Sequence, residues 1–297
     1  VPRTGPSLLI ALGVLTIGTA SAAAQDPPPE VYGGGVIVER APQADLAATV
    51  PSTAIGLRRV GGHVVVRLSI ALRCGRYHGG DYRATDVVAN VPLKPDGTFA
   101  VSAKAVRTVE LGRVRLTISG MLAADRADGT ARVRSHFPCG GQDRNWTARP
   151  VTISKVPAET PPTPADGVLY GVTGEPATAP HGFVARVSMG ATVFHAFTSY
   201  TTDCHGRDHG RAYHSAPVVQ QILPERPLTA GVVDYAEHTT ETAAERRHGI
   251  DVFSELTYDG AFSGPVFVGY LAERQRYRNP TRTQRCASGT NTIIAKP

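Results

Sequence analysis

The stretch CHGRDHGRAYH, Cys204 to His214, gathers three histidines and one cysteine, with Asp203 just before it and Asp208 inside it. Imidazole nitrogens and carboxylate oxygens ligate zinc and its neighbours, and three histidines are an accepted zinc set. The candidate metal ligands are therefore His205, His209 and His214, with Asp203 or Asp208 as a fourth. Their spacing matches no helical i, i+4 pair, and a turn-rich loop fixes no geometry. The competing reading is a polar loop beside a disulfide cysteine. It is favoured by the stretch CGRYHGGDYRA, Cys74 to Ala84, which repeats the cysteine and the His-Gly step. His78 answers His209, whereas His205 and His214 have no counterpart. Cys204 then reads as a disulfide cysteine rather than a thiolate ligand, and no cofactor is expected.

Other catalytic signatures are missing from the sequence. It contains no Gly-x-Ser-x-Gly elbow, no Ser-x-x-Lys, no His-Glu-x-x-His and no phosphate-cradling glycine loop. Carboxylates that meet from separate strands would leave no linear motif. Asp251, Glu255 and Asp259 share one parity and read as an exposed acidic face.

Charge is distributed unevenly. Residues 31–155 carry 18 basic and 9 acidic residues, a net of +9, whereas residues 156–297 carry 12 basic and 14 acidic, a net of −2. Arg113, Arg115, Arg132 and Arg134 are expected to share an outward face across a hairpin turning at ADGT, Ala127 to Thr130. Such a patch attracts anionic polymer, and these four are the candidate anion-binding residues. Solubility alone would also place polar residues there, and the default cation of this chain is arginine, since only four of its 31 basic residues are lysine. Nucleic acid is disfavoured as a partner, because aromatic residues for base stacking are sparse near the patch.

The elements that position these residues have a period of two. Val64, Val66, Leu68, Ile70 and Leu72 alternate with Val65, Arg67, Ser69 and Arg73, and Val114, Leu116 and Ile118 alternate with Arg113, Arg115 and Thr117. Ile250, Val252, Leu256, Tyr258 and Phe262 keep that parity. Such alternation predicts half-buried antiparallel strands. Turn residues such as PDGT at Pro95 punctuate them. No convincing helix follows the signal-peptide stretch, and TTETAAERRH, Thr239 to His248, is the only candidate.

Two segments match without a gap. LTISGMLAADRADGTARVR from Leu116 aligns on LTYDGAFSGPVFVGYLAER from Leu256, superposing Gly120 on Gly260 and Gly129 on Gly269. CGGQDRNWTAR from Cys139 aligns on CASGTNTIIAK from Cys286. Matches in the same order point to an internal duplication. Each copy has one early and one late cysteine, which predicts Cys74–Cys139 and Cys204–Cys286. Loops of that length stabilise a fold by about 4 kcal/mol each in the chain-entropy model.

The expected fold class is all-β: two tandem homologous antiparallel β-sandwich domains of immunoglobulin-like architecture, each with one internal disulfide acting as a staple between sheets. A closed barrel is the alternative. Residues 1–24 read as a secretory signal peptide, with Arg3 before the apolar run Leu8 to Ala20 and small residues after it. Residues 25–30 and 156–167 read as proline-rich linkers. The domains then span 31–155 and 168–297. No other stretch is apolar enough to cross a membrane.

The expected role is an exported, non-enzymatic protein that binds or builds at the cell envelope or outside the cell, its partner an anionic cell-surface polymer held by the first domain. An extracellular hydrolase with a site assembled from scattered residues, and a metal-binding protein using the histidine loop, are the alternatives. Non-reducing peptide mapping should find Cys74 joined to Cys139 and Cys204 joined to Cys286. A bridge between the two copies would contradict the duplication.

Overall fold

The computed structural model describes residues 31–37, 53–73, 82–108, 111–135, 139, 141–151, 165–174 and 179–297. The signal-peptide segment, the first linker, most of the second linker and Cys74 lie outside them. The described residues are almost entirely antiparallel strand, in two sheets. Among them, no helix is long and apolar enough to cross a membrane.

The first sheet holds β1 (Val31–Val36), β2 (Thr53–Val60), β3 (His63–Arg73), β4 (Tyr82–Pro92), β5 (Thr98–Thr108), β6 (Gly112–Leu122), β7 (Ala127–Ser135) and β8 (Gly141–Pro150). Each strand pairs with its neighbour in sequence, and β8 returns to pair with β1. The remaining seam, between β4 and β5, is spanned by a tight turn and one bridge, Leu93 to Phe99. In that turn the Asp96 carboxylate accepts from the Thr98 amide and hydroxyl, and Gly97 takes a φ of 81°.

This consecutive order differs from the immunoglobulin-like expectation. A Greek key places several strands beside non-consecutive neighbours; here every ladder of the sheet except the closing pair β1–β8 joins strands consecutive in sequence. Alternation of side chains is the same in both, so periodicity could not separate them.

The second sheet repeats the order with β9 (Gly167–Thr173), β10 (His181–Ser188), β11 (Val193–Thr201), β14 (Val218–Pro227), β15 (Val232–Thr240), β16 (Asp251–Ser263), β17 (Val266–Arg278) and β18 (Arg282–Lys296). Between β11 and β14 it adds a hairpin, β12 (Asp203–Asp208) and β13 (Arg211–Ser215). Between β15 and β16 it adds one short helix, α1 (Ala243–Arg247), opened by a capping box of Thr242 and Glu245.

Parity follows the sequence closely. Val64, Val66, Leu68, Ile70 and Leu72 are fully buried, as are Val114, Leu116 and Ile118. The duplicated glycines also gain a cause. Gly120 lies opposite Gly129, and Gly260 opposite Gly269. A β-carbon on either glycine of the first pair would strike the Trp146 indole, and on either of the second pair the Phe267 ring. Both copies leave a gap in two strands so that an aromatic ring can lie on the backbone. ADGT therefore does not form the turn: it is the start of β7, and residues 123–126 make the reversal.

The two sheets meet through β1 and β2 against β9 and β10. Here glycine permits close approach. A β-carbon on Gly33 would come within 1.9 Å of the Gly171 carbonyl oxygen, and one on Gly56 within 1.9 Å of that of Pro180. One on Gly182 would lie 2.4 Å from the Ile55 amide nitrogen. Small apolar clusters, Val31 with Val151 and Val172, and Ala54 with Val184 and Phe197, fill the rest. Strands covered on both faces lose the buried–exposed alternation, and the first five residues of both β1 and β2 are indeed buried without interruption.

Gly56→Ala is expected to destabilise the protein by about 1–3 kcal/mol or more, because backbone must move to admit the methyl group. Gly62→Ala, where the added carbon meets nothing within 4 Å, should stay within about 0.5 kcal/mol. Urea denaturation of the two variants tests this; equal losses would contradict the close contact.

Candidate functional site

The expected histidine loop is an ordered hairpin. β18 is longer than its partner β9, which pairs only with its last residues, Ile293 to Lys296. The first part of β18 would be an open edge, and β12 covers it from Asp203 to Asp208. Cys204 sits opposite Cys286 in that ladder and is bonded to it. The disulfide joins adjacent strands of one sheet, not two sheets as expected. The expected Cys74–Cys139 bridge falls outside the described residues because Cys74 does.

β13 then folds back on β12 with His214 directly opposite His205. Asp203, two residues before His205, shares its face. His205 Nε2 lies 3.0 Å from Asp203 Oδ2, and His214 Nε2 lies 2.5 Å from Oδ1. The two imidazoles stack 4.5 Å apart and nearly parallel. The bond from His214, and next that from His205, holds the Asp203 carboxyl below the usual carboxylate range. All three residues are exposed.

His209 is not part of this group. It occupies the hairpin turn with a φ of 47°, and its Nε2 is 3.9 Å from Asp208. A two-residue turn at His209 and Gly210 puts His209 at the tip, beyond the ladder that aligns the other two histidines.

Of the four candidate arginines, all are exposed, with Arg115 directly opposite Arg134. Arg132 is not free, because its guanidinium binds both oxygens of Asp143. Arg107 on β5 takes a place in the group, directly opposite Arg113. The acidic stripe is likewise partly neutralised, since Asp251 accepts a 3.1 Å bond from Arg276.

A buried polar ring between the sheets escaped the sequence reading. Arg67 and Ser69 on β3 share the parity read as solvent-facing, yet Ser69 is 1% exposed. Its hydroxyl lies 2.8 Å from Asp86 Oδ1 and 2.8 Å from Ser199 Oγ on β11. Ser199 Oγ is 3.0 Å from His181 Nδ1, and His181 Nε2 is 2.6 Å from Arg67 Nη1. Arg67 Nε returns to Asp86 Oδ2 at 3.3 Å. Proton counting fixes the directions. A carboxylate only accepts and a guanidinium only donates. Ser69 therefore donates to Asp86, Ser199 to Ser69, and His181 Nδ1–H to Ser199, while Nε2 accepts from Arg67.

Serine, histidine and aspartate are the residue types of a hydrolase triad. Here Ser199 is fully buried and its proton is committed to Ser69, so no substrate reaches a free nucleophile. The ring joins the two sheets. Burial, and then the Arg67 charge, lower the His181 pKa to about 3. A second buried pair, Tyr200 donating to Glu273 at 2.9 Å, lies in the second sheet. Glu273 lies on the inward parity of β17, in line with Phe267 and Leu271, so alternation alone places this carboxylate inside.

The His181 shift has a definite sign. The folded pKa is below the unfolded value of about 6.5, so the unfolded state binds the proton first and stability falls as pH drops from about 6.5 toward 3. One proton gives a slope of about 1.4 kcal/mol per pH unit. His181→Gln keeps a donor and an acceptor but does not titrate. Between about pH 7 and pH 5, wild type should lose about 2 kcal/mol more than this variant in urea unfolding. Parallel losses would show that His181 is not buried as a neutral ring.

No protein-family model matches the chain, and no curated protein matches it. Among solved structures, the chain is similar to a "putative AttH" from Nitrosomonas europaea, with 7% identity over 89% of this chain and 91% of that one. The TM-score is 0.22, at which the likeness says nothing of fold or function.

Proposed function

We propose that the protein is an exported, non-enzymatic binding protein that holds anionic polymer on the outer face of its first sheet. Two directly opposed arginine pairs support this reading: Arg107 with Arg113, and Arg115 with Arg134. Like charges directly opposite on neighbouring strands destabilise a sheet. Among the described residues, these four arginines form no salt bridge that would offset the repulsion. A surface that needs only solubility mixes the two signs, as Arg132 and Asp143 do on the same face. A cluster without ion-pair partners instead concentrates positive potential where a polyanion supplies further negative charge. The second sheet also has opposed arginines, Arg276 and Arg285. There Arg276 is held by Asp251. The sealed Ser–His–Asp ring supports the non-enzymatic part of the reading, and the signal-peptide pattern supports export.

The full chain is expected to bind heparin at low salt and to elute by about 0.5 M salt, where the Debye length falls below about 5 Å. Arg115→Gln with Arg134→Gln should elute at clearly lower salt. The same variant should be as stable as wild type or more so, by about 0.2–1 kcal/mol, because a repulsion is removed. Arg276→Gln with Arg285→Gln should shift elution less. Unchanged elution of the first variant would rule out this face as the binding surface.

A further inference from the structure

We propose that Asp203, His205 and His214 form a binding site for one divalent transition-metal ion of the zinc class, carried on the β12–β13 hairpin. The site differs from the three-histidine set suggested by the sequence, because a carboxylate replaces His209. Each of the three residues offers one ligand atom, and these atoms all lie within 4.8 Å of one another. Ligand atoms bound at 2.0–2.2 Å around a tetrahedral ion stand about 3.3 Å apart. The 3.0 and 2.5 Å separations between the imidazoles and the carboxylate are already close to that. Modest side-chain rotation would admit the ion in place of the two hydrogen bonds.

The backbone beneath the site is held in place. Cys204, between Asp203 and His205, is fully buried and covalently tied to Cys286. β12 is paired on both sides, with β13 and with β18. Ligands on a paired and cross-linked strand stay near one geometry, which lowers the ordering cost of binding. Two imidazoles and one carboxylate suit zinc, copper(II), nickel or iron(II). They do not suit calcium, which takes six to eight oxygens, or copper(I), which prefers sulfur. Among the described residues the cluster has no fourth member, so water or a small anion completes the coordination sphere. As bare hydrogen bonds, the exposed His–Asp contacts contribute little to stability.

The test uses the untagged full chain, freed of metal and titrated with zinc by calorimetry. One equivalent should bind with saturation, and the melting temperature should rise with zinc concentration through mass action. His205→Ala and His214→Ala should each weaken zinc binding by at least about tenfold, since even outer partners of ligands are worth that much. Asp203→Asn keeps the side-chain shape and should melt like wild type without zinc, yet lose most of the affinity. His209→Ala should bind like wild type. Circular dichroism checks that each variant is folded. The proposal is overturned by a lack of saturable binding. It is equally overturned by affinity that survives in His205→Ala and His214→Ala, or that falls as far in His209→Ala.

Discussion

The contact of backbone on backbone between the two sheets, possible only because Gly33, Gly56 and Gly182 have no β-carbon, is the constraint from which the rest of the molecule follows. Any side chain there would hold the sheets apart by the width of a methyl group or more. Ser69 and Ser199 would then lose their 2.8 Å hydrogen bond. Each buried polar group left without a partner costs about 1–3 kcal/mol. The ring through Arg67, Ser69, Asp86, His181 and Ser199 therefore exists only at the spacing that glycine sets. Conversely, the ring gives the interface a single alignment. Apolar clusters such as Val31, Val151 and Val172 could slide over one another, whereas the two directed bonds that cross between the sheets, Ser69 with Ser199 and Arg67 with His181, cannot. Buried ion pairs are poor sources of stability, and the Arg67–Asp86 pair within the first sheet is better understood as orienting Arg67 and Ser69 for the bonds that cross to the second.

That interface also marks the limit of what the sequence could reveal. Alternation identified the strands and their inward faces, because a one-residue register error would expose Val64, Leu68 and Ile70 together. The paired glycines at Gly120 and Gly260 signalled duplication, and the matching strand orders agree with it. Parity, however, separates only inside from outside. Arg67 and Ser69 are outside their own sheet and beneath the other one. The clue lay in VYGGGV, where three consecutive glycines are unsuited to a solvent-facing strand, which has no reason to omit its side chains. The same limit applies to the hairpin. The two-residue turn at His209 and Gly210 sets His205 opposite His214, but the holding of β12 against the edge of β18, some eighty residues later in the chain, leaves no local mark.

Charge follows a parallel division between sum and arrangement. The net charges of the two halves suggest one basic and one nearly neutral unit. On the sheets, what matters is which residue stands across from which. Arg132 is cancelled by its cross-strand neighbour Asp143, while Arg115 faces another arginine two residues along the same face. A composition count gives both the same weight. Because exposed charges interact over about 8–10 Å at ordinary salt, the local arrangement determines what the surface attracts.

The two kinds of polar cluster in this molecule have different freedoms. In the buried ring every proton assigned to a serine or to His181 is already used in holding the sheets together, so chemistry there would break the fold. The β12–β13 hairpin is free of that duty. Among the described residues it has no counterpart in the first sheet, and its structural task, covering the open edge of β18, is done by main-chain hydrogen bonds and by Cys204. Asp203, His205 and His214 point from the opposite face to Cys204, and nothing in the packing requires those residue types. Threonine or lysine would protect the edge as well. Side chains that the fold leaves unconstrained, and that nonetheless converge on one carboxylate, are where a binding role is most easily accommodated.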